Sequence, residues 1–367
     1  MIYVHIPFCK SRCVYCDFFS STLHSLKQEY VISLREEISA RSEEIKRARA
    51  NSIYIGGGTP SQLPVEYLQS IFQSIEQVTP IEDGAEITIE CNPDDITEEF
   101  LQGLKLTPVN RVSLGVQTMD DGLLSLLRRR HKSADVPRVV AMLREAGYDN
   151  ISLDLMYGLP GQTMQMWQHD VQELLALRIP HLSAYALQWE EGTPLYAMLE
   201  RGEVCEADEE LSLSMYRYLV EATRQAGMQH YEISNYAMPG KRAWHNSGYW
   251  RDEAYVGLGP GAHSYDGKNL RSSNPSDLTL YIQSKGMPPR EVEILSEDEL
   301  YEEHVLKGLR TSDGLNLILL SPKYKEYALK MAQPHIAQGR VLYIDNVLKL
   351  TEEGFFLSND IMSDMIL

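Results

Sequence analysis

Residues 2–18 read IYVHIPFCKSRCVYCDF and carry three of the chain's five cysteines. A β-rich run, Ile2–Ile6, ends at Pro7, and Cys9, Cys13 and Cys16 follow with the spacing Cys-x3-Cys-x2-Cys. Three thiolates this close can hold one metal centre if the loop turns back on itself. Zinc takes four ligands in a tetrahedron, so the fourth would be His5, Cys91 or Cys205. A complete iron–sulfur site usually has four cysteines. With three, one iron lacks a protein ligand and can take a substrate amine and carboxylate. Zinc motifs commonly pair cysteines as Cys-x2-Cys twice. The spacing therefore favours an iron–sulfur cluster, while a Cys3His zinc site using His5 stays open. Phe8, Tyr15 and Phe18 add an apolar shell, which shields sulfur from water and tunes its potential. Cys91 and Cys205 read as incidental thiols.

Outward from this loop, one theme repeats: a short β-rich run, a polar or glycine-rich turn, then a longer helical stretch. Strands are expected at Ile2–Ile6, Ser52–Ile55, Glu86–Cys91, Arg111–Val116, Ile151–Leu155 and His181–Leu187. Helices are expected at Leu26–Arg49, Val65–Val78, from about Asp95, at Ala134–Ala146 and at Gln165–Leu177. This alternation implies βαβ units and a parallel sheet. About six units suggest an α/β fold of the partial (β/α)6, TIM-like barrel type, with a doubly wound sheet as the alternative.

Residues 1–206 form this core. A second stretch, 207–288, contains a helix at Glu209–Gln225, a strand at His230–Ile233 and a long loop-like region from Ser234 to Ser273. Residues 289–367 read as a smaller C-terminal helical, winged-helix-like domain. Its helices fall at Glu297–Leu309 and Pro322–Ala332, before a hairpin of Val341–Ile344 and Val347–Leu350.

The net charge of −18 argues against broad nucleic-acid binding, which needs a basic face to displace phosphate counterions. No apolar run approaches the roughly 20 residues of a membrane span. The opening residues are too polar for a signal peptide. Clustered, odd-numbered cysteines fit a metal site in a reducing cytoplasm better than a secreted disulfide scaffold.

Gly56-Gly57-Gly58-Thr59-Pro60 follows the second strand, where α/β folds bind ligands, and its glycines let backbone approach a ligand closely. Alone it reads equally as a tight turn. Thr88 and Glu90 share one face of the third strand. An acid there can bond a ribose diol or simply be a satisfied edge residue.

Cys-x3-Cys-x2-Cys with an aromatic just before the last cysteine resembles the signature of radical S-adenosylmethionine (radical SAM) proteins. Tyr3-Val4-His5-Ile6-Pro7-Phe8-Cys9 is similar to the branch holding oxygen-independent coproporphyrinogen III oxidases and the HemW-like haem chaperones. The resemblance implies a [4Fe–4S] cluster on Cys9, Cys13 and Cys16, with S-adenosyl-L-methionine at the open iron. In such proteins the reduced cluster cleaves the sulfonium to methionine and a 5′-deoxyadenosyl radical. By the same resemblance Gly57, Gly58 and Thr59 contact the methionine amino end and Glu90 binds ribose. Gln117, Arg129 and Asp154 stand in segments similar to the family's S-x-G-x-Q, R-x-H and D-L-x-Y-G-L-P blocks, which implies a place near a second S-adenosylmethionine site or the substrate. Tyr3 and Tyr15 pack against the cofactor.

Two features divide the branch. Oxidases resemble one another in a further cysteine two residues after the third, and Phe18 stands at that place here. His245-Asn246-Ser247-Gly248-Tyr249-Trp250 resembles the His-Asn-x-x-Tyr-Trp motif of the haem chaperones. A neutral histidine can ligate haem iron, and Tyr249 and Trp250 offer flat faces to a porphyrin. His245, Asn246, Tyr249 and Trp250 are thus haem-site candidates, with His263 a second ligand candidate. The bland reading is a buried histidine and aromatics closing the barrel's open side. The chaperone branch implies haem as cargo and a haem-requiring target, such as a membrane respiratory enzyme. It also implies a homodimer and a cytoplasmic protein that reaches the membrane peripherally.

Overall fold

The structure, a computed structural model, describes residues 1–367. Six strands run parallel in chain order: β1 (Ile2–Ile6), β2 (Ala50–Gly57), β3 (Ile81–Cys91), β4 (Arg111–Gln117), β5 (Ile151–Tyr157) and β6 (His181–Ala186). Each is paired with the next. Period-two alternation splits every strand between two environments. Ile53, Ile55, Val112, Leu114, Leu153 and Leu155 are fully buried in one continuous apolar core. The alternate positions are polar: Ser52 and Tyr54, Thr88 and Glu90, Arg111 and Ser113, Ser152 and Asp154. A sheet that is apolar toward its covering helices and polar on its other face leaves a hydrophilic interior, and the site lies there.

Helices such as Val65–Val78 and Met164–Ala176 link the strands. Their starts follow local capping chemistry: Thr97, Asp120 and Thr163 each accept a backbone N–H from the first turn. The single helix expected over Leu26–Arg49 is two, Lys27–Ala40 and Ser42–Ala48. The break falls at Arg41, whose guanidinium turns inward to Glu37 and to the carbonyl of Gly257.

Three further strands lengthen the six-stranded core, the first of them at the strand expected over His230–Ile233. β7 (Gln229–Glu232) and β8 (Asn235–Ala237) add an antiparallel edge beside β6, and β9 (Val256–Leu258) lies parallel to β1. The order is β7-β8-β6-β5-β4-β3-β2-β1-β9, so the sheet stays open between its ends. The loop-like reading of Ser234–Ser273 is therefore corrected. Besides β8 and β9 it holds a helix, Trp244–Trp250, and β10 (His263–Tyr265) and β11 (Leu270–Ser273). These elements are too short for periodicity to register.

β12 (Glu291–Ile294) pairs with β11. The C-terminal unit packs helices Glu297–Leu309, Pro322–Ala337 and Ser358–Met365 around β13 (Leu315–Asn316), β14 (Val341–Ile344) and β15 (Val347–Leu350). The helix from Pro322 runs past the expected end and includes Pro334. Asp345 and Asn346 turn the β14–β15 hairpin with positive φ, the geometry a tight two-residue turn requires. No helix is long and apolar enough to cross a membrane.

Candidate functional site

The loop after β1 turns back on itself. Ser21 donates its N–H to Pro7 at 2.6 Å, and Cys9 donates to Ser21 at 2.9 Å. Val14 fixes the far side of the loop in a small apolar cluster with Leu127 and Leu195. Within this frame Cys9 is buried, with the Thr59 hydroxyl 3.5 Å from its sulfur, while Cys13 and Cys16 are half-buried. Nη1 of Arg129 lies 3.5 Å from the Cys13 sulfur. Burial pushes the Cys9 thiol up and the Cys16 thiol up to about 11. Such thiols become ligands when a metal's own charge draws off the proton.

His5 cannot complete a Cys3His zinc site. Its Nδ1 bonds the Tyr3 hydroxyl at 3.0 Å and its Nε2 the carbonyl of Phe19 at 2.9 Å, so both ring nitrogens are used.

The three cysteines line a cavity of about 410 Å³ at the C-terminal ends of the strands, together with Tyr15, Gly57, Gly58, Thr59, Glu90, Gln117, Arg129 and Asp154. One site thus gathers residues from five strand ends. The glycines are needed for close approach. Gly57 has φ 110°, and a Cβ there would meet the His5 ring at 2.7 Å. A Cβ on Gly58 would lie 3.1 Å from the Cys9 sulfur. Tyr3 does not line the cavity. It stands behind it, stacked on Tyr54 with centroids 6.2 Å apart.

Glu90 is held from β2. The Tyr54 hydroxyl donates to Oε1 at 2.7 Å and the Gly57 N–H to Oε2 at 3.1 Å. Burial nevertheless raises its pKa to about 7, and Asp154 adds repulsion. The pKa of Asp154 is also raised by burial, against hydrogen bonds from Ser183 and Ser113. Arg129 donates to Asn92 Oδ1 at 2.7 Å and to the carbonyl of Gly115, and its Nε is buried without a partner. Gln117 follows a register shift in β4 and takes φ 70°, a conformation costly for a side chain and concentrated at functional sites. The cavity thus offers open thiols, a glycine-walled recess, a hydrogen-bonding carboxylate and a guanidinium.

The family description "Radical SAM superfamily" matches residues 3–174. A protein of Lactococcus lactis named "Heme chaperone HemW" is 36% identical over 371 residues, covering 100% of this chain and 97% of that protein. A Bacillus subtilis protein of the same name is 36% identical over 369 residues, covering 98% and 97%. The chain belongs to the HemW family of radical SAM proteins. Among solved structures, coproporphyrinogen III oxidase (HemN) from Escherichia coli superposes with a TM-score of 0.85. At 22% identity, over 100% of this chain and 89% of that one, this likeness is one of fold. Radical SAM proteins use a [4Fe–4S] cluster and S-adenosylmethionine, and the cavity fits both. Three thiols face it, and its glycine wall comes too close to Cys9 to admit a side chain.

The HemW-type motif lies elsewhere. His245, Asn246, Tyr249 and Trp250 sit on the Trp244–Trp250 helix at the opposite, N-terminal end of the strands. There the N–H groups of Trp244 and His245 donate to the Glu86 carboxylate at 2.9–3.0 Å. His245 is 1% exposed. Its Nδ1 bonds Ser52 Oγ at 2.7 Å and its Nε2 the Tyr249 hydroxyl at 3.0 Å. Burial lowers its pKa to about 3. Both ring nitrogens of His245 are thus engaged within the fold.

Asn246 is half-buried beside it. Tyr249 is tied to His245, and the Trp250 indole lies under Arg310, whose guanidinium is 5.0 Å from the ring centroid. The motif closes the barrel floor. His263, on β10, is exposed. Sequence reasoning missed Tyr54 and Asn92 as site residues. Alternation put Tyr54 on the polar face, but only the register of β2 against β3 brings it to Glu90.

Proposed function

We propose that this HemW-family protein binds haem and passes it to haem-requiring proteins, among them a membrane respiratory enzyme. The observation that carries the reading is its full-length relation, at 36% identity, to proteins named heme chaperones. The cavity mouth is compatible with a porphyrin. Phe18 and Tyr185 line it, 64% and 41% exposed, and offer flat apolar faces. The reading includes a cytoplasmic protein that meets the membrane peripherally and works as a homodimer. Its acidity speaks against a nucleic-acid partner.

The rival is oxygen-independent coproporphyrinogen III oxidase activity, decarboxylating two propionates. Phe18, where oxidases resemble one another in a cysteine, speaks against it. The test is anaerobic titration of haem into the cluster-loaded protein, then addition of apomyoglobin as acceptor. A saturable Soret band that moves to the acceptor is expected. Conversion of coproporphyrinogen III to protoporphyrinogen, without a stable haem complex, would overturn the reading.

A further inference from the structure

The helix at the barrel floor and the carboxylate at its mouth are joined by two aromatic rings. We propose that His245 is a positioning residue for the S-adenosylmethionine pocket, acting through Tyr54 on Glu90. This inference rests on the radical SAM cavity and not on haem binding.

Glu86 pins the first turn of the Trp244–Trp250 helix through two backbone N–H groups. Ser52 and Tyr249 then hold the His245 ring from both sides, so it has one orientation. That ring lies against the ring of Tyr54, with centroids 5.2 Å apart at 32°. Tyr3 backs Tyr54 at 6.2 Å and 28°. Ser52 and Tyr54 alternate on one face of β2, so the strand itself spaces the two contacts. The Tyr54 ring is also close to Gly56, where a Cβ would meet Cε1 at 2.7 Å. Confined in this way, Tyr54 delivers its hydroxyl to Glu90 Oε1 at 2.7 Å, while the Gly57 N–H fixes Oε2. The carboxylate plane is therefore set from the floor by an aromatic contact and from the wall by the glycine loop. A ribose diol meets a preset acceptor rather than a free rotor, and preorganisation of that kind appears as affinity.

The inference gives the His-Asn-x-x-Tyr-Trp helix a role without a haem bond. It is the base on which the cofactor pocket stands. The test measures S-adenosylmethionine affinity by calorimetry on the anaerobically reconstituted protein, with iron content and thermal unfolding as controls. Tyr54→Phe keeps the ring and loses the hydroxyl. His245→Gln keeps a bond to Ser52 and loses the ring face. Both are expected to weaken binding about tenfold with the cluster intact, the scale of one lost hydrogen bond to a charged group.

The double variant is expected to be no weaker than Tyr54→Phe, because both act through one hydroxyl. If His245→Gln does not fold, Ser52→Ala releases the same ring by one bond and is read in the same way. Wild-type affinity in Tyr54→Phe, or in the His245 or Ser52 variant, overturns the proposal. Additive losses in the double variant overturn the coupling.

Discussion

Glu90 shows how much a single inward-facing residue carries. Its pKa is raised by burial to about 7, from an ordinary value of 4.5. Between those values the folded protein holds a proton that the unfolded chain has released. Unfolding free energy therefore falls as pH rises through that window, by an amount on the order of 3 kcal/mol. Glu90→Gln removes this part of the slope and leaves the cluster-free protein more stable than wild type above about pH 7. Urea unfolding across the pH series checks it; parallel curves for the two proteins would mean that Glu90 does not titrate in this range. Much at this scale was legible beforehand. The cysteine spacing and the motif resemblances named the cluster cysteines, the glycine wall, Glu90, Gln117, Arg129 and Asp154, all of which line the cavity, but not other lining residues such as Arg12, Ser113, Met156 and Tyr185. What sequence did not reveal was which ring nitrogens are already bonded. In this structure both ring nitrogens of His5 and of His245 are bonded within the fold.

Individual elements are held by buried polar clamps as much as by apolar faces. Glu37, fully buried, accepts from Arg41, Asn274 and Tyr281 and from the Gly259 N–H. It thereby ties the Lys27–Ala40 helix to the loop after β9. Glu37→Ala leaves Arg41 with Glu44 as its one remaining ion partner and removes the acceptor of the Tyr281 hydroxyl and of the Gly259 N–H, and is expected to cost about 3 kcal/mol, visible as a lower denaturant midpoint. A loss below about 1 kcal/mol would show that water or a neighbour replaces the carboxylate.

Asp170 does the same for the loop carrying Gln117. It accepts from Thr118 Oγ1 at 2.8 Å and from the Met119 N–H at 2.7 Å. Asp170→Ala is expected to destabilise the protein by about 2–3 kcal/mol. Thermal unfolding within error of wild type would contradict this. These clamps explain the misread boundaries. The break at Arg41 answers to Gly257, 216 positions away, and the Trp244–Trp250 helix to Glu86 and Ser52, 158 and 193 positions away. Val65–Val78 and Glu209–Gln225, governed by local periodicity and capping, fall where sequence puts them.

Across the whole molecule, alternating strands and helices were enough to predict the six-stranded parallel core. Of the antiparallel extension only the strand at His230–Ile233 was legible, as β7; β8 and the floor helix were not, because both depend on long-range pairing. The C-terminal unit covers the β7 edge. Ile233 donates to Arg310 at 3.0 Å and Ser312 to Tyr231 at 2.9 Å. Removing residues 289–367 bares this edge and is expected to give aggregation on size-exclusion chromatography. A monodisperse truncated protein would show that the barrel seals itself.

The account stands or falls on the open cluster at Cys9, Cys13 and Cys16. Its most direct test is electron paramagnetic resonance of the reduced, reconstituted protein, with and without S-adenosylmethionine. Wild type should give a [4Fe–4S] signal that changes on adding S-adenosylmethionine, and Cys13→Ala should give none. A signal unmoved by S-adenosylmethionine, or a cluster that survives Cys13→Ala, would contradict the account.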